Sequence, residues 1–142
     1  MPMFAWHDSL SVGVDEIDTQ HKNLLAMINR LQESISRGTG RSEIGGVLTE
    51  LVRHMSEHFA AEEKLMLSAG FPYYSDHRAR HYVFHKTIVN LLKGLRRDQN
   101  MSAFQLLALL RDWWQTHILE EDKKLGDYLS ARSQSRLSSP VK

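Results

Sequence analysis

The 142-residue sequence predicts an all-α fold: an antiparallel up-down-up-down four-helix bundle preceded by an N-terminal arm. Three observations predict it. Four segments carry apolar residues at three- and four-residue spacing. Short polar breaks, several with glycine or proline, separate them. No segment alternates with period two, so there is no signal for a sheet.

The first helix is expected from Ile17 to Ile35, with Ile17, His21, Leu24, Ile28, Leu31 and Ile35 on one stripe. Asp15 or Asp18 stands where a cap would, and Gly38-Thr39-Gly40 ends the helix. The second is expected from Ser42 to Ala69, with Val47, Leu48, Leu51, Met55, His58, Glu62, Leu65 and Met66 facing inward. Gly70 followed by Pro72 is a strong stop, because glycine accepts the left-handed conformation and proline cannot continue the helix. The third follows Ser75 or Asp76 as cap and runs to Arg97, presenting His77, His81, Phe84, Ile88, Leu91 and Leu95. The fourth starts at Ser102, where Ser102 and Gln105 form a capping-box pattern, and ends near Leu129. Residues 1–16 are then an arm with Trp6 and Val12 as anchors, and 17–129 the bundle. Residues 130–142, rich in serine and arginine, are expected to be a flexible tail.

Composition narrows the function. Eighteen basic and 17 acidic side chains give a net charge of +1, with no electrostatic footprint for nucleic acid or an anionic membrane. Cysteine is absent, which excludes disulfides, thiolate metal sites and iron–sulfur clusters. The N-terminal stretch lacks the basic and apolar regions of a secretory signal, and no stretch reaches the ~18 apolar residues that span a bilayer. The expectation is a cytoplasmic monomer without membrane insertion.

Polar residues on the core stripes carry the chemistry. His21 sits on the apolar face of the first helix. His58 and Glu62 share a face of the second, and His77 and His81 repeat that four-residue spacing on the third. His117 occupies a core position on the fourth, with Asp122 five residues on. Five residues is ~140° of rotation at 3.6 residues per turn, so Asp122 is expected to reach in from the flank. A single histidine on an apolar stripe is more often a hydrogen-bonded core residue, and a histidine pair is often a partly exposed face. Depth changes the balance. In an antiparallel bundle all seven residues fall in the same half of one core, within roughly 10 Å of a common level at ~1.5 Å rise per residue. Left without metal, each unpaired polar group there would cost about 1 to 3 kcal/mol. A metal site is the economical explanation. Imidazole suits iron, zinc, copper or nickel, and seven ligands exceed one tetrahedral zinc. They suit two metals, with Glu62 and Asp122 as bridges. The Glu-x-x-His repeat of ferritin-like di-iron enzymes is missing, and a histidine-rich, carboxylate-poor site favours reversible binding over oxygen activation.

These residues resemble the hemerythrin family, specifically its single-domain bacterial members. The matching pieces are Ser11-Val12-Gly13-Val14, Ile17-Asp18-Thr19-Gln20-His21-Lys22 and His58-Phe59-Ala60-Ala61-Glu62-Glu63 with Met66. They continue through Gly70-Phe71-Pro72, His77-x-x-x-His81 and Trp113-x-x-x-His117-Ile118-x-x-x-Asp122-Lys123. The likeness covers residues 6–129. It implies two iron ions joined by an oxo or hydroxo bridge, with His77, His81 and His117 saturating one. His21 and His58 would hold the other, leaving a position open for dioxygen. Phe59, Trp113, Trp114 and Ile118 would wall the oxygen pocket, with plain core packing as their ordinary role. Trp114 is a departure, since the family often has leucine there. His54 and His85, each one turn from a ligand, are additional: helix-flank residues, hydrogen-bond partners of the ligands or alternative ligands. His7 is expected at the surface.

The expected function is therefore reversible dioxygen binding as carrier, store or sensor, not enzymatic catalysis. Rivals are a di-iron oxidoreductase handling peroxide or nitric oxide, a di-metal hydrolase, an iron store, and a signalling module read by a protein partner. An enzyme would need an acid or base at the open position, and His54 is the candidate.

Overall fold

The backbone turns where glycine allows it. A computed structural model of the chain describes residues 5–96 and 103–138, and every regular element among them is helical. A single 3-10 turn, Asp8–Leu10, precedes α1 (Asp15–Ser36), α2 (Gly40–Ala69), α3 (Tyr74–Arg96) and α4 (Ala103–Trp113). A π-helical segment, Trp114–Glu121, then leads into α5 (Asp122–Ser138). These last three follow one another without a break as one rod, so the bundle has four rods. α1 packs on α2 and α4, and α2 on α3. No helix among the described residues is long and apolar enough to cross a membrane.

Two left-handed glycines make the sharp reversals. After α1, Gly38 has φ 77° and the Thr39 N–H reaches back to Ser34 O at 2.8 Å. After α2, Gly70 has φ 67° and the Phe71 N–H reaches Met66 O at 2.9 Å. Both contacts satisfy carbonyls that a helix end leaves orphaned. One half of the core is apolar: Ile28, Leu31, Leu48, Leu51, Ile88, Leu106 and Leu110 are fully buried there. A smaller cluster of Met66, Phe71 and Leu125 closes the opposite end.

The arm is tied down at two places. Asp18, a candidate helix cap in the sequence, instead accepts the Val12 N–H at 2.9 Å and the Ser11 hydroxyl. Val14 takes the capping position without a side-chain bond. Val12 lies buried against Gly126 of α5, where a Cβ would stand 3.0 Å from the Val12 Cα. Trp6 packs against the main core, with the Lys22 ammonium 5.0 Å from its ring centroid.

Helix ends differ from the sequence expectation in four places. α1 and α2 each begin two residues early, within ordinary fraying. α3 begins at Tyr74, so Ser75 and Asp76 lie inside its first turn. The backbone of the preceding turn supplies the start, with the Tyr74 N–H to Phe71 O at 3.3 Å. α5 continues to Ser138 and does not stop near Leu129, so the expected tail is helical over its first nine residues. No glycine or proline interrupts 130–138, and Tyr128 and Arg132 anchor the rod by donating to the carbonyl oxygen of Ala69. Ser102, half of the expected capping box, lies outside the described residues.

Candidate metal centre

All seven residues singled out in the sequence meet at one level of the bundle. α1 supplies His21, α2 supplies His58 and Glu62, α3 supplies His77 and His81, the π-helical segment supplies His117, and α5 opens with Asp122. Glu62 and Asp122 have no exposed surface, and the five histidines expose 2% or less. Each imidazole turns its Nε2 inward. Glu62 Oε2 lies 3.2 Å from His58 Nε2, and Glu62 Oε1 lies 3.2 Å from His81 Nε2 and in short contact with His77 Nε2. Asp122 Oδ1 lies 2.9 Å from His77 Nε2 and 3.1 Å from His117 Nε2, while Oδ2 lies 2.9 Å from His21 Nε2.

The π-helical turn corrects one expectation. In regular α-helix His117 and Asp122 would diverge by ~140°. Here the Asp122 N–H bonds to His117 O, an i→i+5 closure that widens the turn and brings the two residues onto one face. Asp122 therefore points straight into the core, not from the flank.

The donors fall into two groups that could each hold a metal ion. One is Glu62, His77, His81, His117 and Asp122; the other is His21, His58, Glu62 and Asp122. Within each, the donor atoms lie within 4.8 Å of one another, and both carboxylates belong to both groups. Protein contacts leave this cluster incomplete. Both nitrogens of His21, His58 Nε2, Glu62 Oε2 and both Asp122 oxygens are buried and, close as the inward ones stand to one another, meet no partner in hydrogen-bond geometry among the described residues. Orphaned lone pairs converging on a shared space, from nitrogen and oxygen donors only, fit a pair of transition-metal ions.

Electrostatics point the same way. Burial and the charge of Asp122 both work to raise Glu62, yet the imidazoles of His58, His77 and His81 close against it outweigh them and hold it below its ordinary 4.5. Burial likewise opposes ionisation of Asp122; the charge of His117 and the close approach of the His117, His21 and His77 imidazoles keep it well below 3.8. Burial also opposes charge on His77, but the carboxylates of Asp122 and Glu62 against it push it up to about 10. Two buried carboxylates demand positive charge. Protons on the imidazoles are one source of it, and metal ions are the other.

The residues around the donors are less symmetric. The Nδ1 of His58 meets Gln20 Oε1 at 2.7 Å, and the Nδ1 of His81 meets Glu63 Oε2 at 3.1 Å. Both partners escaped the sequence reasoning, which used them only as pieces of a motif. Their signal was adjacency, since each neighbours a ligand in the chain. Phe59 lies flat on His81 at 4.0 Å and 8°, and Trp113 lies flat on His117 at 4.0 Å and 11°. Trp114 stands edge-on to His21 at 6.5 Å, and Ile118 is buried in the main core. Of the four expected pocket walls, Trp114 thus faces the two-histidine group and Trp113 the three-histidine group, while Phe59 touches both. His54 stacks over His58 with centroids 6.1 Å apart, and burial pushes it down to about 4. His85 turns away and pairs with the Ser56 hydroxyl at 2.8 Å. His7 is exposed.

Comparison with known proteins agrees with this geometry. Residues 12–129 match the family model described as the hemerythrin HHE cation binding domain. A bacteriohemerythrin of Stenotrophomonas maltophilia is 32% identical over 131 residues, covering 92% of this chain and 84% of the relative. One from Methylococcus capsulatus is 30% identical over 132 residues, covering 92% of this chain and all of the relative. The crystal structure of a wild-type hemerythrin superposes with a TM-score of 0.79 at 29% identity, covering 90% of this chain and 98% of that one.

Proposed function

The chain belongs to the hemerythrin family, and from that premise we propose that it binds dioxygen reversibly at a non-haem di-iron centre, as a carrier, store or sensor. One observation carries the proposal: two donor groups share both buried carboxylates and are unequal in size. His77, His81 and His117 would hold one iron with Glu62 and Asp122, five donors in all. His21 and His58 would hold the second with the same carboxylates, four donors in all, so the free position belongs to the second. Two ferrous ions held side by side supply the two electrons that dioxygen binding draws on and that its release returns.

The protein's own part is to position and to exclude. Glu62 and Asp122, fully buried, span the two groups from the second and fourth rods of the bundle. Trp114 and Phe59 put aromatic surface against the two-histidine side, which keeps water from the bound ligand. An oxidoreductase handling peroxide or nitric oxide would need a proton donor there. His54 is the nearest candidate, and burial keeps it neutral at neutral pH.

The test is iron content per chain together with the visible spectrum of anaerobically reduced protein, exposed to air and then deoxygenated. Two irons, with a charge-transfer band that comes and goes with oxygen, are expected. Two irons that oxidise with no reversible band would transfer the assignment to a redox enzyme. Loose iron in any other ratio would favour storage.

A further inference from the structure

The two donor groups differ in what stands behind them as well as in size. His58 and His81 both aim Nε2 at the carboxylates, so in each ring Nδ1 carries the hydrogen and donates outward. His58 donates to a neutral amide oxygen of Gln20 at 2.7 Å, whereas His81 donates to a carboxylate oxygen of Glu63 at 3.1 Å. Glu63's other oxygen lies 3.5 Å from Arg78 Nε, which leaves Oε2 for His81. The remaining outer nitrogens that are buried, His21 Nδ1 and His117 Nδ1, meet no partner among the described residues. His58 in one group and His81 in the other thus each have an outer hydrogen bond, and the two acceptors differ by a full charge.

We infer that Glu63 and Gln20 are positioning residues that set an electronic difference between the two metal positions; the inference rests on the di-metal reading above. A hydrogen bond to a carboxylate draws the imidazole toward its imidazolate form and makes Nε2 a stronger donor. A bond to a neutral amide fixes the same ring orientation with far less of that effect. Glu63 thus favours tight binding and the higher metal charge at the three-histidine position. Gln20 orients His58 while leaving the two-histidine position the weaker donor set, which keeps its metal in the lower charge state that takes up a ligand reversibly. The sequence carries both choices beside the ligands, as Gln20-His21 and Glu62-Glu63.

Two reciprocal variants test this. Glu63→Gln keeps an acceptor and removes the charge; Gln20→Glu adds the charge on the other side. Metal-free protein is titrated with cobalt(II), and the reduction potential of the iron-loaded protein is measured separately, with circular dichroism checking the fold of each variant. Wild-type protein is expected to bind two cobalt ions with unequal affinity. Glu63→Gln should weaken the tighter step about 10- to 100-fold and raise the potential. Gln20→Glu should tighten the weaker step and lower the potential. A purely structural role for either residue would weaken binding in both variants, and shifts of the same sign, or none in either variant, would overturn the inference. A wild-type protein that takes up fewer than two cobalt ions would instead overturn the di-metal reading beneath it.

Discussion

The two ends of the bundle are equally buried and chemically opposite. At one end Ile28, Leu31, Leu48, Leu51, Leu106 and Leu110 interlock with no exposed surface, and the buried Ser34 there bonds to Arg30 O at 3.0 Å and to Glu43. At the other end five imidazoles and two carboxylates take the same kind of core position, and several of their donor atoms have no partner among the described residues. The apolar end is complete by itself, since packing and removal from water need nothing beyond the chain. The polar end is complete only with added positive charge. Stability should therefore reside mainly at one end and metal binding at the other, and the two should be separable by mutation.

The largest effect should follow from breaking the polar end. Glu62→Ala or His117→Ala is expected to abolish loading of two metals per chain, read by metal analysis, while far-ultraviolet circular dichroism keeps its helical signal. Unchanged metal content would remove that residue from the site. At the apolar end, Leu48→Ala should cost about 2 to 5 kcal/mol in urea unfolding and leave metal stoichiometry at the wild-type value. Lost metal in that variant would show that the ends are not independent.

A third prediction sharpens the comparison through pH. In metal-free protein His77 is raised from its ordinary 6.5 to about 10, so its contribution is complete below pH 6.5 and lost as pH rises through about 10. Glu62 and Asp122 are lowered, so theirs is complete above their ordinary 4.5 and 3.8 and lost as pH falls further. The metal-free melting temperature should peak between about pH 4.5 and 6.5 and fall on the alkaline side. Metal needs neutral imidazoles, so the stabilisation it adds should grow over that same alkaline range. Melting curves of both forms from pH 5 to 9 check this, and parallel profiles would contradict it. The smallest effect is expected from Trp114→Leu, which should alter the rates of oxygen uptake and loss without altering iron content. Unchanged rates would mean that Trp114 is not a pocket wall.

Much of the site is legible in the amino-acid sequence. Helix periodicity is local, so the i,i+4 pairs His58/Glu62 and His77/His81 share faces wherever those helices form. The glycine stops after α1 and α2 set the antiparallel reversals that bring His21 to the level of His58 and His77. What the sequence leaves open is equally specific. A 3.6-residue period puts Asp122 on the flank, because nothing in Trp114–Glu121 announces an i→i+5 turn. Gln20 and Glu63 look like surface neighbours of ligands, because their partners His58 and His81 lie on other helices.

By itself, then, the sequence determined which side chains enter the core and at what depth, since both follow from the rise and rotation of a single helix. Only the tertiary structure decided how the fourth rod is wound at the site, which outer group each imidazole meets, and that α5 continues to Ser138. Those are decided between helices, where cross-bundle contacts outweigh the small free-energy differences that separate one local winding or helix end from another.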